Sequence, residues 1–173
     1  MNRIFLALSL ILGIGFTAAY WKMGGFKAAT VTPETLAQPY FVAGHYYEGP
    51  ANDEAFGELT RRAYELRRSG KIRGDFGNIF YNSPEDTRTA AKVFVGLVVA
   101  DTTQALPKDY KYRVFPAGQK VLHAHIDAGY MVAPDKLYGG IKDFAKENKL
   151  SLQDIYLERF PEKGEPEVVA VLK

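Results

Sequence analysis

The sequence predicts an α+β fold. Two βαββ units related by a pseudo-twofold axis form an antiparallel sheet with two helices, preceded by an N-terminal transmembrane helix. Three observations predict it. First, "GNIFYNSPEDTRTAAKVFVGLVVA" (77–100) and "DIYLERFPEKGEPEVVAVLK" (154–173) share one plan. In each, an aromatic-bearing strand stops at a Pro-Glu turn (Pro84-Glu85, Pro161-Glu162) and a valine-rich strand follows. Second, an amphipathic helix precedes each copy, and a strand precedes each helix. A unit of that size has one apolar face to hide, and a twin can cover part of it. Third, the 17 residues from Ile4 to Tyr20 carry no charge.

That apolar run comes first in the chain. Hydrocarbon about 30 Å thick needs roughly 20 apolar residues in a helix, so 1–22 is just long enough to span. Tyr20-Trp21-Lys22 resembles the aromatic and cationic belt of a retained anchor. Thr17 and Ala19 also stand at plausible −3 and −1 positions for signal cleavage and export. The anchor is the reading taken, export the alternative; Arg3 with the amino group opposes Lys22 and Lys27, so orientation stays open. Residues 23–34, with two Gly and one Pro, read as a linker.

The domain is then expected over 35–173, in halves of about 35–100 and 110–173. "LAQPYFVAGHYYEG" reads as a strand bounded by Gly49-Pro50. The helix after it has Asn52 or Asp53 as N-cap, an apolar stripe of Phe56, Leu59, Ala63 and Leu66, basic residues in its last turn, and Gly70 as its stop. The first hairpin follows. The second half opens with the strand-like "KYRVFPAGQKVLHAHIDAG", interrupted at Pro116-Ala117-Gly118. Its helix has Pro134 in the first turn and Leu137, Ile141, Phe144 and Ala145 on one face. Gly139 and Gly140 inside that helix cost roughly 1 kcal/mol each relative to Ala, a cost explained if the helix closely approaches a sheet.

Composition excludes some chemistry. With no cysteine there is no disulfide, thiol nucleophile or zinc–thiolate site. A net charge of +2 gives no reason to expect nucleic acid as partner. His123, His125 and Asp127 fall on one face of a strand. Alternate side chains there stand roughly 7 Å apart, too far to meet one ion without bending inward, so a metal is not expected. No His-Glu-x-x-His motif or phosphate-cradling loop is present, and neither a catalytic residue nor a cofactor is assigned.

Four motifs in order carry a family resemblance: "VAGHYYEGP" (42–50), "GNIFYNSP" (77–84), "FPAGQKVLHAHIDAGY" (115–130) and "DIYLERFP" (154–161). From about residue 35 to the end, the chain resembles the GyrI-like small-molecule-binding domain, the effector-binding domain of AraC- and MerR-type regulators. The departures are Asp154 where the family usually has Glu, and Lys120 where Tyr is common. No helix-turn-helix segment precedes the domain, so the layout is closer to a membrane-tethered branch. The resemblance implies a ligand cleft between the halves and a taste for lipophilic cations and aromatic compounds.

Strand alternation sets Ile155 and Leu157 on one face, expected to pack on the helices. Asp154, Tyr156 and Glu158 fall on the other, expected to line the cleft and offer carboxylates and a ring to a cation, or else simply to form a solvated face. Tyr81, at a family motif position, and Tyr46, beside the Gly49-Pro50 turn, complete the candidate ligand-binding set. Tyr47, Phe80 and Tyr130 are further possible walls. The leading expectation is a membrane-tethered, non-enzymatic domain holding a small hydrophobic, cationic molecule. A protein-interaction module at the membrane and a hydrolase are the alternatives.

Overall fold

The computed structural model describes residues 3–84, 86 and 89–173. Glu85, in the first Pro-Glu turn, lies outside the described residues. The chain runs α1 (Arg3–Lys22), β1 (Thr30–Thr35), β2 (Tyr40–Gly49), α2 (Glu54–Arg68), β3 (Asp75–Phe80), β4 (Ala91–Val99), β5 (Lys111–Phe115), β6 (Lys120–His125), α3 (Ala133–Glu147), β7 (Leu152–Phe160) and β8 (Glu167–Leu172). The strands form one antiparallel sheet ordered β1-β6-β8-β7-β3-β4-β2-β5. Its middle six strands read β6-β8-β7 and then β3-β4-β2. The predicted twofold relation therefore passes through the β7–β3 seam, and the two rhyming hairpins, β3–β4 and β7–β8, are neighbours.

Local chemistry explains the helices. Asp53 caps α2, its carboxylate accepting from the Ala55 N–H at 2.9 Å, and Arg67 and Arg68 meet the negative end of the helix dipole. Gly70 follows at φ +68°. Pro134 sits in the first turn of α3, where its missing N–H leaves no bond unmade. α2 packs on β2, β3 and β4, and α3 on β1, β6 and β8. Gly140 accounts for its place in α3: a Cβ there would stand 3.1 Å from Ala29 and 3.3 Å from Val31. At Gly139 nothing lies within 4 Å.

Two strands differ from the sequence reading. The stretch read as linker contains all but the last residue of β1, which pairs with β6 of the second half. The stretch read as one interrupted strand is two, and β5 pairs with β2 of the first half. Each half thus lends its leading strand to the other. The 116–119 turn makes this possible, because Leu36 N–H donates to Gln119 O at 2.9 Å and Gly118 N–H donates to Leu36 O at 2.8 Å.

The exchange helps close the face of the sheet that bears no helix. Val42, Ile79, Phe94, Leu157 and Val169 form a second core there, joined by Leu36 and Phe115. Each large apolar side chain so buried contributes about 1.5–3 kcal/mol. Curling at this depth needs strands without side chains at the bend. Gly44, Gly96 and Gly77 stand side by side across β2, β4 and β3. A Cβ on Gly96 would collide with the Ala43 carbonyl and lie 2.6 Å from the Gly44 Cα.

The apolar helix α1 is long enough to cross a membrane and is unburied by the rest of the chain. Its end docks on the domain. Gly129 N–H donates to Met23 O at 2.9 Å, and Lys27 pairs with Asp127. Gly24, at φ +78°, lies so close to the 127–128 backbone that a Cβ would stand 2.8 Å from Asp127 O.

Candidate functional site

The β3–β7 seam places three rungs side by side: Phe76 with Phe160, Asn78 with Glu158, and Phe80 with Tyr156. These side chains point towards the helices, which corrects the face expected for β7. Ile155 and Leu157 belong to the second core, while Tyr156 and Glu158 lie under the helices. Alternation could not decide this, because each face of the sheet carries a buried core.

Glu158 is 7% exposed and tied on both oxygens. Tyr138 of α3 donates its hydroxyl to Oε1 at 2.9 Å, and Asn78 Nδ2 donates to Oε2 at 3.0 Å. Burial raises its pKa above the ordinary carboxylate value, against the opposing pull of those two donors. The Asn78 Oδ1 beside it is buried with no hydrogen-bond partner among the described residues. The Tyr138 ring meets Tyr156 edge-on, centroids 5.3 Å apart, and the Tyr156 hydroxyl donates to Asp154 Oδ1 at 3.1 Å. Tyr156 is core, at 2% exposure. Asp154 stands outside it in a β-bulge, exposed and at φ +57°, a conformation Asp tolerates better than most residues.

Tyr46 and Tyr81 are on the opposite face, rings 6.3 Å apart, with the Tyr46 hydroxyl donating to Glu48. The five candidate residues therefore do not converge. Tyr47 packs on Phe56 at the start of α2, and Phe80 is core. Of the aromatic walls considered, Tyr130 lines a cleft on the helix side.

This cleft holds about 520 Å³, within the usual range for small-molecule sites. One wall is a stripe of α2: Gly57, Thr60, Arg61, Tyr64 and Arg67. These positions follow the helical period, on a face beside the apolar stripe that holds α2 to the sheet. The floor is the Phe76–Phe160 rung, rings 6.4 Å apart, and Tyr130 closes the far side edge-on to Phe160 at 6.0 Å. The Asn78–Glu158 rung is next along the seam. Among the described residues the lining holds two guanidiniums and no carboxylate. Arg61 is held by Glu58 and Glu65, and Arg67 by Glu162 at 3.3 Å. The stripe was visible in the sequence as one side of α2, but nothing local distinguishes a helix face on a cleft from one on water.

A charged ladder crosses the other face: Asp75–Arg159–Glu167–His123–Glu34. Both ring nitrogens of His123 meet carboxylates, Glu167 at 3.0 Å and Glu34 at 2.9 Å. His125 faces Glu165, and Asp127 faces Lys27. Among the described residues no group of three or more His, Cys, Asp and Glu is arranged to hold a metal. The Glu167 hydrogen bond, with further help from Glu34, raises the His123 pKa despite burial. Stability from this ion pair is therefore fully present below the ordinary imidazole pKa and is lost as pH rises through the raised value. Urea titrations are expected to show that loss, on the order of 1–2 kcal/mol, in the intact chain. His123→Gln should remove the dependence in that window; an unchanged profile would mean that the imidazole is not charged in the folded state.

The geometry defines the class of fold before any comparison: an α+β fold of two βαββ units on one antiparallel sheet, with a cleft at the twofold seam. Solved structures share it. The EcmrR C-terminal domain superposes with a TM-score of 0.55, at 11% identity over 84% of this chain and 96% of that one. EcmrR in a DNA complex gives 0.56, at 10% identity over 99% of this chain and 67% of that chain. An integron cassette protein from Vibrio cholerae gives 0.56, at 15% identity over 85% and 97%. At such identities the likeness establishes the fold. No family model matches the sequence, and no curated protein matches it significantly.

Proposed function

We propose that this chain is a membrane-tethered, non-enzymatic binding domain of the GyrI-like kind, which holds a small hydrophobic molecule in the cleft between α2 and Tyr130. The observation that carries the reading is Gly57. A glycine in a helix interior costs about 0.8–1 kcal/mol relative to alanine. Apart from its chain neighbours and its own helical backbone, no atom of the described residues lies within 4 Å of where its Cβ would be, so packing against another element does not require it. The position lines the cleft, and an absent side chain there leaves room for a guest. Rings of Tyr64, Phe76, Tyr130 and Phe160 offer stacking surface. Tethering through α1 rests on its length, its apolarity and the Trp21-Lys22 end.

The acidic floor expected for a cationic guest is withheld. Asp154 is outside the cleft, and Glu158 is buried, engaged by Tyr138 and Asn78, and shifted towards its neutral form. The lining favours a guest whose polar end is neutral or anionic. The test is calorimetry on the full chain in lipid nanodiscs, with empty nanodiscs as blank and matched naphthyl alcohol, carboxylate and ammonium compounds as probes. The alcohol and carboxylate are expected to bind. Gly57→Leu, which fills the cleft while improving helix propensity, is expected to abolish binding and to raise stability by about 0.5–1 kcal/mol. Undiminished binding in that variant would place the site elsewhere.

A further inference from the structure

Resting on that reading, we infer that the guest is a single-chain amphiphile with an anionic head, taken up beside the membrane helix. The apolar cleft does not end in open solvent at Arg67. That guanidinium also lines a second, polar basin of about 480 Å³, with Arg73, Lys163, Asp75 and Glu162. Asp75 is already committed to Arg159, at 2.8 Å. The basin thus brings three cationic side chains against one carboxylate outside that pair. An apolar trough joined to a cationic basin matches a molecule with a chain at one end and negative charge at the other. Arginine is suited to carboxylate or phosphate because its fork gives paired donors. Among the described residues, Arg67 gives up one ion pair, to Glu162 at 3.3 Å, the longest made from α2.

The same walls lead to the membrane. The Tyr130 hydroxyl donates to Pro161 O, beside Glu162 and Lys163 of the basin. One residue earlier, Gly129 is bonded to Met23 at the end of α1. Tyr130 is therefore within about 10 Å of the helix terminus, by bond lengths alone, a distance comparable to the headgroup layer. Trp21, Phe26 and Met131 are 72%, 66% and 87% exposed at this junction. Side chains of that kind sit comfortably at a bilayer interface. A lipid whose head occupies the basin has the Phe76–Phe160 floor within reach of its chain, through the shared Arg67 wall.

The experiment uses the full chain in phosphatidylcholine nanodiscs. It compares a fatty acid, a lysophosphatidylglycerol and an alkyl-trimethylammonium of one chain length, each carrying the same photoreactive diazirine. After irradiation, the acidic probes are expected to label 57–67 and Tyr130 about tenfold more than the ammonium probe, and Gly57→Leu should remove that labelling. Arg67→Gln, a partly exposed change that leaves the core intact, should reduce it by a similar factor. Labelling by either acidic probe alone supports the proposal and identifies its source as free acid or phospholipid. Equal labelling by the ammonium probe, labelling confined to α1, or indifference to Arg67→Gln overturns it. If naphthyl alcohol still binds in a Gly57-dependent way while the acidic probes fail, this inference falls and the cleft reading stands; if both fail, both fall.

Discussion

Gly96→Ala is expected to be the most damaging single methyl group that can be added to this protein. Its Cβ would collide with the Ala43 carbonyl oxygen and stand 2.6 Å from the Gly44 Cα and 2.8 Å from the Ala43 carbonyl carbon. All three are backbone atoms, so no side chain can rotate out of the way. The neighbours of Gly96 on both sides, Gly44 and Gly77, are glycines for the same reason. Moving the strands apart would open the second core, where Phe94 and Val98 flank the position. Overpacking costs about 1–3 kcal/mol when side chains can adjust, and more when they cannot. A loss of about 3 kcal/mol or more is a large share of the roughly 5–15 kcal/mol that holds a domain. Circular dichroism and urea titration should show a chain that is unfolded or cleared during expression. Near-native stability would mean that the sheet is flatter at this row.

The second large effect has the opposite sign. Glu158→Gln is expected to stabilise the protein at neutral pH by on the order of 1–3 kcal/mol. The carboxyl is buried, and its raised pKa means that the folded chain holds the proton more firmly than the unfolded chain does. Below the ordinary carboxylate range both states are protonated, and Glu158 adds no pH dependence. As pH climbs through that range the unfolded state gives up its proton first. Stability falls until pH passes the raised value, then levels. Glutamine keeps an acceptor for the Tyr138 hydroxyl, brings no charge, and should flatten this part of the profile. Melting temperatures of both proteins across acid to neutral pH are the measurement. A destabilised variant at neutral pH would show that the carboxylate is ionised in place and needed by Asn78 and Tyr138. His123 works on the other face, and the His123→Gln and Glu158→Gln variants separate the two contributions.

Much of the fold was legible because it is written locally. Asp53, the apolar stripe of α2 and Gly70 mark one helix, and Pro134 with Leu137 and Ile141 marks the other. The two hairpins were legible because each strand's partner follows it within a short turn. The exchange of β1 and β5 was not, since Pro116-Ala117-Gly118 announces a turn without naming the strand that will receive the chain. Of the residues around the candidate site, Tyr130 was considered as a wall, and Phe76 and the Gly57–Arg67 stripe were not. Glu158 was picked out, but for an open cleft rather than the buried rung it occupies.

The sequence by itself determined the elements and their repetition: an apolar helix, two amphipathic helices and two hairpins. Periodicity, caps and turn residues act over a few positions and need no distant partner. Tertiary structure decided which face of β7 lies under the helices, which half receives each leading strand, and that α2's second stripe borders a cleft with cationic rather than acidic walls. Those outcomes depend on what packs against each face. When residues on both faces of a strand become buried, alternation along the chain separates the faces but cannot say what lies on either.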